Sequence, residues 1–246
     1  MLEAVCVVCG VSLKMGIKAV LFDLHGTLAY CPNRMTDAEI SDYLLKRGYE
    51  VSPQTLRAAW SFVAFIDYPK YGYRNWKSFF SRIFQRLGVE VDEETHSTLI
   101  EFLEGTPYQL FPDGARAVRK AKEVEFRTAI VTTIARFQFQ EAIGPIQDCL
   151  DFVMTGYEAR CDKSNLKMYL KVLEVLGVPP NSTVMVGDEL PLDILLPKKL
   201  GIRAILLDRE HKASQECRSA DALVYDLDQA METIIKWHGK KDSRVK

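Results

Sequence analysis

Phe22-Asp23-Leu24-His25-Gly26-Thr27-Leu28 is the stretch on which the rest of the chain turns. The residues leading into it, 17–24, read IKAVLFDL, a nearly continuous apolar run that suits a strand buried on both faces of a parallel sheet. Asp23 stands where that strand ends. In open α/β sheets ligands gather at the carboxyl ends of the strands, so a carboxylate emerging there faces the expected site. Gly26 permits close backbone approach to an anion and Thr27 offers a hydroxyl, which makes both candidate substrate-binding groups. The same residues also read as a strand-end Asp capping a turn, and this segment alone does not choose between the two.

The chain has 246 residues, enough for one sizeable core or for a core carrying a smaller insertion. Its 48% hydrophobic and 26% charged residues describe a protein that folds by itself. A formal net charge of -1 gives no signature of a nucleic-acid binder or of strong membrane adsorption, which points to a small partner. Cysteines at positions 6, 9, 31, 149, 161 and 217 are too scattered for a disulfide framework and suit a reducing compartment. Cys6 and Cys9 form a C-x-x-C pair without the second pair that a zinc site needs. Residues 1–14 are a short apolar stretch broken by Glu3 and Gly10, neither a signal peptide nor a membrane span, and are expected to lie outside the fold. A soluble, cytoplasmic protein is the expectation.

Beyond the first strand, apolar β-branched runs recur at 127–133, 152–155, 183–186, 204–207 and 222–226, with helical patterns between them. Ser164 is expected to cap a helix whose Leu166, Tyr169, Leu170 and Leu173 share one face, with Gly177 as its stop. Alternating strands and helices mean parallel βαβ units, an α/β fold. The alternation is interrupted between Tyr30 and Thr106. There Thr36 and Glu39 form a capping box, Ser52-Pro53 opens a second helix, and Asn75 and Asp92 cap two more. This interval reads as a small helical bundle inserted into the sheet domain, and Pro112-Asp113-Gly114 launches the next core helix.

Three later segments bear on Asp23. The second strand ends in Thr132-Thr133, placing hydroxyls that can donate to a phosphoryl oxygen, although threonine is also simply common in strands. Lys163 stands beside a helix start, where an ammonium reinforces an anion site, although a lone lysine is ordinarily a solvated surface charge. In Val184-Met185-Val186-Gly187-Asp188-Glu189-Leu190-Pro191-Leu192-Asp193 a buried strand ends in Gly-Asp and a second Asp follows five positions later. Two carboxylates at one strand end supply the hard oxygen ligands that Mg²⁺ takes, while turn and helix capping is the other account of them.

Taken in order, these segments resemble the haloacid dehalogenase-like hydrolase superfamily, and its phosphatases most closely. The resemblance covers about Ile17 to Asp226 and implies a Rossmann-like, doubly wound parallel sheet with an inserted all-helical cap. The implied division is 15–30 with 107–246 as core and 31–106 as cap. Asp23 matches the nucleophile, Thr132 the phosphate-binding hydroxyl with Thr133 beside it, and Lys163 the charge-stabilising lysine. Mg²⁺ is implied at Asp23, Asp188 and Asp193 with the backbone carbonyl of His25. Lys163 to Tyr169 keeps the family's lysine-to-aromatic spacing, whereas Ser164 stands where many relatives have proline.

The reaction so implied is attack by Asp23 on phosphorus, an aspartyl-phosphate intermediate, and its hydrolysis, with a small phosphorylated metabolite as substrate. His25 occupies the position where phosphatases of the family carry the acid/base Asp. Imidazole titrates near pH 6.5 when unperturbed, so His25 is either a substitute proton donor and acceptor or a structural replacement. Haloacid dehalogenase and phosphonatase chemistry, or a catalytically weak metal- and phosphate-binding regulator, are the alternatives. The acidic pair favours a phosphorus substrate, because dehalogenation needs no metal.

Overall fold

The computed structural model describes residues 16–212 and 219–239. The 1–14 appendage, the Cys6/Cys9 pair and Cys217 lie outside the described residues, within which Cys31, Cys149 and Cys161 are free thiols. The chain opens with β1 (Ala19–Phe22) and a short β2 (Ala29–Tyr30). Five helices follow: α1 (Asp37–Lys46), α2 (Pro53–Phe62), α3 (Tyr68–Tyr71), α4 (Trp76–Leu87) and α5 (Glu93–Glu104). A short β3 (Gln109–Leu110) leads to α6 (Pro112–Glu123), β4 (Arg127–Val131), β5 (Phe152–Met154), α7 (Gly156–Ala159) and α8 (Leu166–Leu176). Then come β6 (Thr183–Gly187), α9 (Leu196–Lys198), β7 (Arg203–Leu207), β8 (Ala222–Val224) and α10 (Leu227–Gly239).

Six strands form one sheet in the order β5-β4-β1-β6-β7-β8, and every pairing is parallel. The fold is the α/β one that the alternation predicts and the Rossmann-like one that the resemblance implies. Side chains alternate across a strand, so Val20 and Phe22 face one layer while Ala19 and Leu21 face the other. The first pair packs with Ile130, Val184 and Val186 against Ala117, Val118 and Ala121 of α6 and Leu227, Ala230 and Ile234 of α10. The second packs with Ala129, Val131 and Met185 against Met168, Tyr169, Val172 and Leu176 of α8. Covered on both faces, β1 is wholly buried, which is why its sequence is a continuous apolar run rather than an alternating one.

Between Tyr30 and Thr106 the helices build a core of their own around Leu44, Leu56, Trp76, Phe79, Phe80, Ile83 and Leu99. β2 and β3 pair antiparallel, Ala29 with Leu110 and Tyr30 with Gln109, so the two chain crossings into this bundle lie side by side. The Thr36–Glu39 capping box and the Ser52, Asn75 and Asp92 caps form as read. Two details differ from expectation. Asn165, not Ser164, caps α8, because the Asp162 carboxylate already accepts the Ser164 N–H at 2.7 Å and the helix starts one residue later. Leu170 is 49% exposed, since the buried stripe of α8 runs through Met168, Tyr169, Val172, Leu173 and Leu176 instead.

Candidate active site

Register brings three strand ends together. Phe22 of β1 lies beside Ile130 of β4 on one side and Val186 of β6 on the other, so the residues that follow each strand emerge along the same edge. The Asp23 N–H donates to the Val186 carbonyl at 2.9 Å, which holds its Cα in line with the sheet while the chain turns away. Its carboxylate accepts a hydrogen bond from Lys163. The same ammonium lies 2.6 Å from Asp193 Oδ1. Lys163 is therefore no surface lysine: only 2% exposed, it links the β1 and β6 loops from the segment after β5.

The β6 loop is built around Asp193. Its N–H donates to the Glu189 carbonyl at 2.7 Å and its Oδ2 accepts from the Glu189 N–H at 3.1 Å, closing the turn after Asp188. The Tyr169 hydroxyl donates to the Leu192 carbonyl at 2.6 Å, which explains an aromatic residue six positions after Lys163. A Cβ on Gly187 would collide with Asp193, and one on Gly26 would collide with the Asp188 carboxylate. Gly26 also has φ of 78°, a left-handed conformation in which glycine is unstrained, so both its backbone angle and its missing side chain are needed. Thr27, expected among the substrate-binding groups, is wholly buried and its hydroxyl donates to Asp188 Oδ1 at 3.2 Å.

Asp23, Asp188 and Asp193 each offer a carboxylate oxygen, and the three lie within 4.8 Å of one another. Burial pushes Asp23 up to about 6, with the Lys163 charge opposing and Asp188 adding to the rise. Burial likewise pushes Asp193 up to about 6, against the pull of Lys163. Asp188 is raised by burial and by the charge of Asp193. Burial works against the charge on Lys163, yet attraction to Asp193 and Asp23 holds its ammonium well above the ordinary lysine range. Three carboxylates facing one ammonium leave negative charge uncompensated. Hard oxygen donors in that state fit a divalent cation such as Mg²⁺.

Thr132 ends β4 with 1% exposure; its N–H donates to the Met154 carbonyl and its hydroxyl oxygen accepts the Ile134 N–H at 3.2 Å, leaving the hydroxyl proton to donate. Thr133 lines a cavity of about 210 Å³ shared with Arg34 and Trp60 of the helical insertion. His25 is exposed, and its ring stands edge-on to Tyr108 with 5.7 Å between centroids. Desolvation and the charge of Arg34 hold its imidazole below the ordinary 6.5.

Sequence reasoning missed two residues that build this site. Arg209, just beyond β7, donates to the Gly26 and Thr27 carbonyls at 3.2 and 2.8 Å and forks onto Asp113, so it clamps the loop that carries His25. Only its place after a strand end signalled this. Tyr68 of α3 shares a hydrogen bond with Thr155 at 3.0 Å and accepts the Arg136 N–H at 3.1 Å, seating the insertion on the sheet domain. In the stretch from α3 to the start of α4, Tyr68 and Trp76 are buried, whereas Lys70, Tyr71, Arg74 and Lys77 are exposed.

A family model described as haloacid dehalogenase-like hydrolase matches residues 17–201. Among curated proteins, the chain is 24% identical over 229 residues to glyceraldehyde 3-phosphate phosphatase of Methanopyrus kandleri, covering 89% of this chain and 96% of that protein. It is 23% identical over 218 residues to haloacid dehalogenase-like hydrolase domain-containing protein 3 of Danio rerio, covering 80% and 88%. Among solved structures, a HAD phosphatase from Thermococcus onnurineus superposes with a TM-score of 0.63 at 24% identity, covering 89% of this chain and 98% of that one. A 2-haloacid dehalogenase from Pseudomonas syringae gives 0.67 at 23% identity, covering 90% and 99%. Phosphatase and dehalogenase structures thus share this fold.

Proposed function

Because the chain belongs to the haloacid dehalogenase-like hydrolases, we propose that it is a Mg²⁺-dependent phosphatase that hydrolyses a small phosphorylated metabolite through a phosphorylated Asp23. The observation that carries this reading is the convergence of Asp23, Asp188 and Asp193 within 4.8 Å around a buried lysine. A nucleophilic carboxylate alone would suit dehalogenation; three carboxylates suit a metal and a phosphate together. Curated relatives named for glyceraldehyde 3-phosphate support a small phosphate ester as the substrate class.

In this reading the Asp23 carboxylate attacks phosphorus in line with the ester oxygen. The new bond joins its oxygen to phosphorus, the ester bond breaks, and the leaving oxygen departs with the bonding pair and takes up a proton. Lys163 holds the reacting carboxylate oxygen and offsets the repulsion between two anions, while the Thr132 hydroxyl donates to the transferring group. Asp23, Asp188 and Asp193, with the His25 carbonyl, would hold the divalent cation, whose bound charge neutralises the phosphoryl oxygens. Water then attacks phosphorus, releasing phosphate and restoring the carboxylate.

His25 is proposed as the proton carrier for both steps, and the helices of 31–106 as a cap that excludes water from the site. An imidazole held below its ordinary pKa is mostly neutral at pH 7, so it suits the removal of a proton from water better than the delivery of one to a leaving group. The test is phosphate release from a panel of esters, glyceraldehyde 3-phosphate included, with and without Mg²⁺. Metal-dependent turnover that Asp23→Asn abolishes is the expected result. Metal-independent release of halide from a 2-haloacid, with no ester turned over, would overturn the reading.

A further inference from the structure

Among the described residues Arg34 is a cation without a carboxylate. It follows Asp23 by 11 positions, on the segment that enters the helical insertion, and is half-buried. Its guanidinium carbon lies 5.1 Å from the Trp60 ring centroid and 5.8 Å from that of Trp76. One amino nitrogen donates to the Tyr108 hydroxyl at 3.4 Å. Among the described residues no Asp or Glu pairs with it; Asp37, on the same cavity wall, is held by Arg57 at 2.6 Å. A guanidinium has five N–H donors in a planar fork, so most of these find no described acceptor. Two aromatic rings nevertheless fix the head group, which lowers the entropy lost when it binds something.

The surroundings say where that something would lie. Arg34 lines a cavity of about 430 Å³ with Arg74, Trp76 and Tyr108, and also the cavity of about 210 Å³ that reaches Thr133 beside Thr132. Tyr108, which Arg34 touches, presents its ring to His25 in the turn after Asp23. Glu104 and Glu141 line the larger cavity, but they are exposed and pair with neither arginine. A fixed, unpaired fork thus sits one aromatic ring away from the catalytic turn.

We propose that Arg34 binds a carboxylate carried by the substrate at the end remote from phosphorus, which makes the substrate class a small phosphorylated acid. The inference rests on the phosphatase reading and deepens it. The planar fork matches a carboxylate in two parallel hydrogen bonds, which a lysine cannot reproduce. A substrate with an uncharged end would leave that fork unmatched and be selected against.

The test compares kcat/KM for 3-phosphoglycerate, which carries the carboxylate, with that for glycerol 3-phosphate, which does not, under saturating Mg²⁺. The unmodified protein should prefer 3-phosphoglycerate. In Arg34→Gln the ratio should fall about 10- to 100-fold through a higher KM for the acid, and Arg34→Lys should restore part of it. A ratio is independent of how much of a variant is folded. Equal rates for the two esters in the unmodified protein, or a ratio unmoved by Arg34→Gln, would overturn the assignment while leaving the phosphatase reading intact. Absence of turnover with both esters and with p-nitrophenyl phosphate would overturn both.

Discussion

Lys163 shows at the residue scale how burial changes a side chain's chemistry. In sequence it stands beside Asp162 and reads by itself as an ordinary solvated charge; in the fold it is the ammonium between two buried carboxylates. Its burial follows from packing across strand ends, which no local pattern contains. His25 is the opposite case, because its identity was legible and its orientation was not. It lies against Tyr108 and near Arg34, and desolvation, followed by the charge of Arg34, holds its imidazole below the ordinary 6.5. A neutral imidazole is a poor acid, so esters whose leaving group needs a proton should suffer most. His25→Asp is expected to raise turnover of an alkyl phosphate relative to p-nitrophenyl phosphate, whose leaving group departs unprotonated. Equal effects on both esters would remove His25 from leaving-group protonation.

At the scale of elements, the loop after β1 is held from behind. Arg209 forks onto Asp113 of α6 at 2.9 and 3.0 Å, Asp113 also accepts the Leu227 N–H at the start of α10, and the same guanidinium reaches the Gly26 and Thr27 carbonyls. Burial alone would raise Asp113, but these hydrogen bonds and the charge of Arg209 outweigh it and hold the carboxyl below its ordinary 3.8. A depressed folded-state pKa contributes stability that is fully present above the unfolded value and is lost as pH falls through the folded one. Asp113→Asn should therefore lower Tm at pH 7, by an amount corresponding to about 3 kcal/mol for a broken buried pair, and flatten the acid side of the Tm-against-pH curve. An unchanged acid limb in that variant would contradict the linkage. Helix starts were largely legible, because a capping side chain and its target are three residues apart. The Arg209 clamp was not, since its partners, the loop after β1 and Asp113 of α6, lie far from it in sequence.

At the scale of the whole molecule, the strand order puts β1 between β4 and β6, so Asp23, the Thr132 hydroxyl and the acidic loop after β6 lie on one edge of the sheet. That arrangement was legible because each motif ends an apolar strand and parallel topology sends every such end to the same side. What the helical insertion meets there was not legible, since Tyr68 and Arg34 touch the sheet domain through partners far away in sequence. The acidic edge carries uncompensated charge, so Mg²⁺ at about a hundred times its dissociation constant should raise Tm by roughly 5 °C. Asp188→Asn should abolish the shift, and a shift that persists in that variant would place the cation elsewhere. The central claim is that Asp23 becomes covalently phosphorylated. Acid-quenched single-turnover samples, digested at low pH and read by mass spectrometry, test it directly: one phosphoryl group is expected on the peptide containing Asp23, transiently and only with Mg²⁺, and none in Asp23→Asn. Phosphate release without any labelled Asp23 peptide, undiminished in Asp23→Asn, would contradict it.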